Sequence, residues 1–183
     1  MLDRIHPWGR PLRPGLGTEV VAEVATERWQ IESYWALRRS IFVAEQRLFE
    51  TCDRDARDPD ALPIVAMSQI AGMPDRVIGV VRIYNSDGAT WYGGRLGVAA
   101  EFRRFGAVGT ALIQVAVSTA HALGCGEFLA TVQLANVRYF ERHHFSVRGS
   151  IDVAGQPHRL MEASLDHYPP RAIGSRFCQT RAA

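Results

Sequence analysis

Residues 95–112, RLGVAAEFRRFGAVGTAL, form the segment that is most informative about the fold. Its pattern predicts a strand, then a loop of small residues, then an apolar helix. The first turn of a helix leaves backbone N–H groups without partners inside the helix. It also carries the positive end of the helix dipole. A strand, a small-residue loop and a helix in this order therefore predict an anion-binding site built from backbone amides.

The side chains of this segment favour phosphate as the anion. Glycine and alanine let a pyrophosphate approach the backbone, a guanidinium can meet a further phosphate oxygen with two N–H groups, and a hydroxyl can add another hydrogen bond. The residues that we expect to hold the phosphates are Arg103, Arg104, Gly106, Ala107, Val108, Gly109 and Thr110.

The absence of lysine excludes several familiar chemistries. All 21 positively charged side chains in the 183 residues are arginine. A P-loop needs GxxxxGK[ST] and a Schiff base needs a lysine amine, so both are ruled out. A Rossmann fingerprint needs GxGxxG within a βαβ unit, whereas the strands before this loop are predicted to be antiparallel.

Outward from this segment, the chain alternates between strand-like and helix-like patterns. Turn residues at GMPD and NSDG separate three β-rich runs, which predicts an antiparallel meander. The predicted strands are 18–26, 64–70, 77–84, 90–98 and 127–132, followed by a hairpin of 145–153 and 157–165. The predicted helices are 29–45 (one or two helices), 108–124 and 136–144.

We therefore expect an α/β (α+β) protein in which helices flank a central mixed, mostly antiparallel sheet. Residues 18–166 form the predicted domain, with an N-terminal arm at 1–17 and a C-terminal arm at 167–183. The acidic stretch RDARDPDALP, at residues 54–63, alternates aspartate with arginine and is predicted to be a solvated loop. It has no glycine-turned ligand loop of the kind a metal site uses.

Composition limits which classes of ligand and which cellular compartment we expect. A formal charge of +2 with interspersed signs does not predict a nucleic-acid surface. The three cysteines are far apart, with no His/Cys cluster at metal-ligand spacing, so we expect reduced thiols and no metal. No apolar run is long enough for a signal peptide at the start or for a membrane span. We predict a cytoplasmic protein that does not bind a membrane.

The loop resembles the acyl-CoA motif of the GNAT superfamily, the Gcn5-related N-acetyltransferases. That motif is Arg or Gln, two residues, Gly, one residue, then Gly or Ala. Counted back from the helix, Arg104–Gly109 fits the motif with Ala107 in place of its first glycine. Counted forward from the strand, Arg103 and Gly106 fit, and Val108 then occupies the Gly/Ala position. We prefer the Arg104 register because it keeps residues 108–112 in helix phase.

Three further segments strengthen the resemblance. Residues 133–145 resemble the superfamily's second signature, with Gln133 at its Asn position, Phe140 at its tyrosine and His144 at its glycine. Residues 37–46, LRRSIFVAEQ, and 155–161, GQPHRLM, are similar to segments of an ElaA-like branch. The matches together cover about residues 30–165.

The resemblance implies the GNAT acyl-CoA N-acyltransferase fold, with acetyl-CoA as co-substrate and a small-molecule amine as acceptor. The cofactor would lie between two separated strands. It would bind the strand at 95–99 through Leu96, Val98 and Ala99, with Gln133 and Phe140 contributing from the second signature. A homodimer through the last hairpin is also implied by family habit.

Direct acyl transfer needs a neutral amine, a donor to the thioester oxygen and a proton source for the departing thiolate. The backbone N–H of Val98 is our candidate donor. Tyr139 is a candidate acid, although on a helix it points about 100° away from the family's tyrosine position. Water or His158 is the alternative. Glu45, an acidic residue in an apolar run, is either a cap or an amine-binding carboxylate.

The remaining expectations concern the acceptor pocket, the partners of two arginines and two alternative functions. Trp35, Trp91 and Tyr92 are candidates for the wall of an acceptor pocket, and Arg38 and Arg39 are candidates for pairing with the acidic loop. The segment RRSIFVAEQ followed by an Asp-rich loop also resembles acyl-homoserine-lactone synthases, which implies a related acyl transfer as the first alternative function. The second is a CoA-binding sensor or assembly subunit without turnover.

Overall fold

The computed structural model describes residues 19–104, 106–153 and 155–179. The described part contains these strands and α-helices: β1 (Val20–Val24), α1 (Arg28–Arg38), β2 (Leu62–Ile70), β3 (Met73–Asn85), β4 (Thr90–Val98), α2 (Gly106–Ala122), β5 (Glu127–Gln133), α3 (Val137–Glu141), β6 (Phe145–Val153), β7 (Gln156–Ala163) and β8 (Phe177–Gln179). A π-helical segment, Arg39–Glu45, continues α1. The predicted strands and helices are all present, with ends that differ by a few residues.

All eight strands form one sheet in the order β6-β7-β5-β4-β3-β2-β1-β8. Only the β4–β5 contact is parallel, and every other neighbouring pair is antiparallel. The mixed, mostly antiparallel sheet is therefore confirmed. The parallel contact arises because α2 connects β4 to β5 as a crossover, which returns the chain in the same direction.

Helices cover the two faces of the sheet with different residues of the same strands. On β1, Val20, Ala22 and Val24 face α2, while Val21 faces α1. This alternation follows from the two-residue repeat of a strand. Helix α2 is apolar around most of its circumference because it lies between the sheet and the segment after β7, where the Arg171 N–H donates to the Ser118 carbonyl and the Tyr168 carbonyl lies 2.7 Å from His121 Nδ1.

The β4–β5 contact ends halfway along both strands. It pairs Thr90–Gly93 with residues 127–130, after which β4 runs on to Val98 and β5 to Gln133 without pairing to each other. The far part of β5 pairs instead with β7, where Gln133 lies opposite His158. The two strands therefore diverge beyond Gly93, as the resemblance implies for a strand pair that admits a cofactor.

A β-bulge in β4 lies at the point of divergence. Gly94 pairs with Arg82 and Gly97 pairs with Val80, so β4 has one more residue than β3 between these pairs. Arg95 within the bulge has a φ of 55°. A left-handed backbone is uncommon for a residue with a side chain and is strained, and such strain tends to occur at functional sites.

One of the two expectations about the ends of the domain needs correction. Residues 167–183 are predicted as an arm, yet Phe177–Gln179 form β8 and pair with β1. Tyr168 in the same segment is buried against Phe145. The sequence pattern misses this because three residues carry too little periodicity to predict a strand. The N-terminal arm, residues 1–17, lies outside the described residues.

Helix α3 is also shorter than the predicted 136–144, because the chain turns at His144, whose φ is 59°. In the described ranges, no helix is long and apolar enough to cross a membrane.

Candidate functional site

A cleft of about 240 Å³ opens where β4 and β5 diverge. Gly94 and Leu96 line it from β4, and Gln133 lines it from β5. Its remaining walls come from β3, from the segment that follows α1, from α2 and α3, and from the β6–β7 hairpin. The cleft therefore passes between the strands and joins the two faces of the sheet.

Four of the predicted site residues line this cleft: Leu96, Gln133, Phe140 and His158. Phe140 is nearly buried and packs edge-on against Phe145, so it contributes shape to the cleft and no polar group. Gln133 donates a hydrogen bond to the Gln46 side chain at 3.4 Å. The structure thus brings together residues from four separate segments.

His158 has a defined ring orientation on β7. Its Nδ1 lies 2.8 Å from the backbone oxygen of Gln156. A carbonyl only accepts, so in the neutral ring Nδ1 carries the proton and Nε2 is an acceptor. His158 is buried and lines the cleft, so its Nε2 has the chemistry of a general base.

The first turn of α2 is open to ligand. An added Cβ at Gly106 would meet nothing within 4 Å, while one at Gly109 would overlap the Tyr139 hydroxyl. Glycine is therefore needed at 109 for packing and leaves open space at 106. Val108 is fully buried, and its side chain packs in the core.

Tyr139 lies against this helix start. Its hydroxyl donates to the Gly106 carbonyl at 3.2 Å, and burial raises the pKa of the phenol. The Thr110 hydroxyl donates to the same carbonyl at 2.9 Å and lies 2.8 Å from His143 Nε2. Because its hydroxyl is held at this turn, the geometry points to a structural role for Tyr139.

Glu45 and Arg103 pair with each other. Two arginine nitrogens donate to the two carboxylate oxygens, one of them at 2.7 Å. The third, Nε, donates to the Val98 carbonyl at 2.9 Å. Hydrogen bonding from Arg103 lowers the pKa of Glu45. Arg103 thus ties the end of the π-helical segment to the end of β4, and Arg104 beside it is exposed.

Ala99 also secures this end of β4, since its N–H donates to the Ile78 carbonyl at 2.8 Å. Of the three aromatic candidates, Tyr92 lines the cleft and stacks on Tyr84, with ring centroids 5.6 Å apart. Trp91 is a core residue, and Trp35 lies beneath the guanidinium of Arg54. Only Tyr92 is therefore placed where it could contact an acceptor.

The acidic loop is largely exposed, as predicted, but arginines from three elements pair with three of its aspartates. We call these six residues the arginine–aspartate network: Arg38, Arg82, Arg95, Asp53, Asp55 and Asp58. The side chain of Arg38 is 0% exposed and that of Arg82 is 5% exposed. The expected pairing of Arg38 with this loop is confirmed, whereas Arg39 is exposed.

Burial disfavours the charged form of Asp58, but hydrogen bonds from Arg38 and Arg82 outweigh it and lower its pKa to about 2. Arg82 and Arg95 also line the cleft, although neither was predicted as a site residue. The available signal was the single arginine in the apolar run VIGVVRIY, since a charge within a buried strand needs a partner.

No group of three or more His, Cys, Asp or Glu side chains in residues 19–104, 106–153 and 155–179 could hold a metal ion.

Residues 18–145 match the sequence model of the acetyltransferase (GNAT) family. No curated protein sequence matches the chain.

Three solved structures share the fold. A candidate N-acetyltransferase from Lactobacillus plantarum has a TM-score of 0.67 and 22% identity, covering 80% of this chain and 97% of its own. ElaA from Escherichia coli has a TM-score of 0.64 and 21% identity, covering 80% and 99%. The CoA-dependent acyl-homoserine lactone synthase BjaI, solved with SAM and isopentyl-CoA, has a TM-score of 0.62 and 18% identity, covering 82% and 86%. At these identities the likeness shows the fold alone.

Proposed function

Because the chain belongs to the acetyltransferase (GNAT) family, we propose that it transfers acetyl from acetyl-CoA to the amine of a small molecule by direct attack. The observation that carries the proposal is the cleft between the diverging ends of β4 and β5. The start of α2, with open space at Gly106, follows the end of β4 along the chain. We further propose that it works in the cytoplasm, without nucleic acid or membrane, and that it is a homodimer through the β6–β7 hairpin.

Acetyl-CoA supplies the acyl group activated as a thioester. The backbone amides of the first turn of α2, with Arg104 at their edge, would hold its pyrophosphate. Leu96, Val98 and Ala99 would follow its pantetheine arm along β4, and the N–H of Val98 would stabilise negative charge on the thioester oxygen.

His158 is the residue best placed to handle protons. Its Nε2 would remove a proton from the acceptor amine as the C–N bond forms and the C–S bond breaks. The CoA thiolate would then be protonated from the imidazolium or through water. In this account Tyr139 is a positioning residue that holds α3 against the start of α2, and Glu45 holds Arg103.

The proposal is tested by measuring free thiol released from acetyl-CoA with a panel of amines, together with product masses. We expect thiol release that depends on an amine and a product heavier by one acetyl group. Binding of CoA without thiol release would instead support a non-catalytic CoA-binding protein. Transfer of longer acyl groups with lactone formation would support the acyl-homoserine-lactone-synthase-like reaction.

A further inference from the structure

Arg82 on β3 is held firmly at one end of its guanidinium. Its Nη1 and Nη2 donate to the two oxygens of Asp55 at 2.8 and 2.6 Å. Nη1 also lies 2.8 Å from Asp58. The charge is therefore balanced and the plane of the group is fixed.

The third nitrogen of the guanidinium, Nε, has no such partner among the described residues. Arg82 Nε is buried and has no hydrogen-bond partner among the residues that the structure describes. Buried donors are nearly always hydrogen-bonded, so one that lines a cleft points to a ligand oxygen.

Gly94 leaves room for that oxygen. Gly94 is the cross-strand partner of Arg82, and an added Cβ would lie 3.7 Å from Arg82 Nε. The φ of Gly94 is outside the left-handed region, so the backbone does not require glycine here. The missing Cβ instead leaves room for about one atom in contact with the unpaired donor.

This space lies at the apex of the cleft. Gly94 directly follows Gly93, whose pairing with Ala130 is the last contact between β4 and β5. An oxygen bound to Arg82 Nε would therefore lie close to whatever reacts between the two strands. Tyr84 and Tyr92, which lie on β3 and β4, add an aromatic wall beside it.

The net charge of the arginine–aspartate network indicates what kind of ligand group can bind there. Three arginines face three aspartates, so the network has no net charge to attract a free ion. In a site without net charge, a single buried N–H donor is suited to recognise an oxygen atom that is covalently part of the substrate.

We propose that Arg82 Nε donates a hydrogen bond to a carbonyl or carboxylate oxygen next to the acceptor's amine, so that the acceptor is an apolar or aromatic amino acid or its amide. This proposal rests on the proposed acetyl transfer. It makes Arg82 a residue that determines acceptor specificity.

Two trios of acceptors test it by their kcat/KM in the thiol-release assay. One is tyrosine, tyrosinamide and tyramine, and the other is leucine, leucinamide and 3-methylbutylamine. We expect at least one oxygen-bearing member of a trio to exceed its oxygen-free analogue at least tenfold. The free acid and the amide then separate a carboxylate from a carboxamide as the recognised group.

The proposal is overturned if the oxygen-free amines react as well as their analogues, or if only amines that lack such an oxygen react anywhere in the wider panel. Failure of the proposed function looks different, since then acetyl-CoA gives no amine-dependent thiol release with any amine tested.

Gly94→Ala fills the space beside Arg82 Nε at an ordinary van der Waals distance. Gly126→Ala is the matched control, because its Cβ would lie 3.7 Å from the Ala89 Cβ, and Gly126 is not among the residues that line the cleft. For Gly94→Ala we expect the KM of the oxygen-bearing acceptor to rise at least tenfold, with acetyl-CoA KM and melting temperature as in wild type. Gly126→Ala should change neither KM.

Three results with Gly94→Ala would contradict the proposal. One is an unchanged acceptor KM. Another is an equal rise for oxygen-bearing and oxygen-free amines, which would indicate simple crowding. The third is a rise in the KM of acetyl-CoA alone, which would assign the space beside Arg82 to the thioester oxygen.

Discussion

Arg103 and Arg104 differ in how many of their guanidinium N–H groups already donate hydrogen bonds within the protein. Arg103 donates from all three nitrogens, to Glu45 and to the Val98 carbonyl. Arg104 is exposed at the edge of the helix start. The sequence motif fits either arginine, and this difference in pairing favours Arg104 as the partner of a phosphate.

Arg104→Gln should therefore raise the Kd of acetyl-CoA about tenfold, which is typical of losing one charge-assisted hydrogen bond. Arg103→Gln should raise it less than threefold. Calorimetric titration of both variants measures this difference, and a larger effect for Arg103→Gln would favour the other register of the motif.

His158 is the second residue whose surroundings predict a role. His158→Gln removes an imidazole that lines the cleft and whose Nδ1 is committed to the Gln156 carbonyl. We expect kcat to fall about 100-fold, the usual loss on removing a general base, with the KM of acetyl-CoA unchanged.

The control is His144→Gln, because His144 is exposed and stacks on His167. A wild-type kcat for His158→Gln would contradict a role for His158 as general base and would indicate that water accepts the proton.

At the scale of elements, α3 is fastened to the start of α2 by side chains that surround Gly106. Tyr139 and Thr110 both donate to the Gly106 carbonyl, and Gly109 provides the space that the tyrosine ring needs. The first turn of α2 is thus held in place by Tyr139, which follows Gly106 by 33 residues.

Tyr139→Phe separates this structural role from acid catalysis. Loss of one hydrogen bond should lower the free energy of unfolding by about 1 kcal/mol and weaken acetyl-CoA binding by a small factor, while kcat stays within about twofold of wild type. Urea denaturation and steady-state kinetics measure these quantities. A 100-fold loss of kcat at unchanged stability would restore Tyr139 as the catalytic acid.

Local sequence patterns predict most of these elements, and they predict less well what depends on contacts between distant segments. The meander, the buried helix α2 and the final hairpin follow from periodicity and turn residues. The β8 strand, the bulge at Arg95 and the pairing of Arg82 with Asp55 do not, because each is decided by residues far apart in the chain.

For the site, the acyl-CoA motif lies at the start of α2, and His158, a candidate from the sequence, lines the cleft. The ion pair of Glu45 with Arg103 depends on a separation of 58 residues, which no motif encodes.

At the scale of the whole molecule, the arginine–aspartate network joins α1, β3, β4 and the loop between α1 and β2. The folded-state pKa of Asp58 is about 2, below its ordinary value of 3.8. Its contribution to stability is therefore fully present above about pH 4 and is lost as the pH falls toward 2.

The free energy of unfolding should accordingly fall between pH 4 and pH 2, with Asp58 contributing on the order of 2 kcal/mol to that fall. Asp58→Asn should be less stable than wild type at pH 6 and should lose less on acidification. Urea unfolding at each pH measures this.

Asp60→Asn, which changes an exposed aspartate of the same turn, is the control and should behave as wild type. Equal acid sensitivity in wild type and Asp58→Asn would show that the network does not determine acid stability.

We propose that the start of α2 holds the pyrophosphate of an acyl-CoA, and calorimetric titration with acetyl-CoA measures this binding. Gly106→Glu places a carboxylate in the open space at this turn, and Gly106→Gln places a neutral group of the same size there. Negative charge at a helix start favours the helix but repels phosphate, so the fold is retained while the ligand is opposed. We expect a Kd at least tenfold higher for Gly106→Glu than for Gly106→Gln, and the same Kd for both variants, or no binding to the wild-type protein, would contradict the claim.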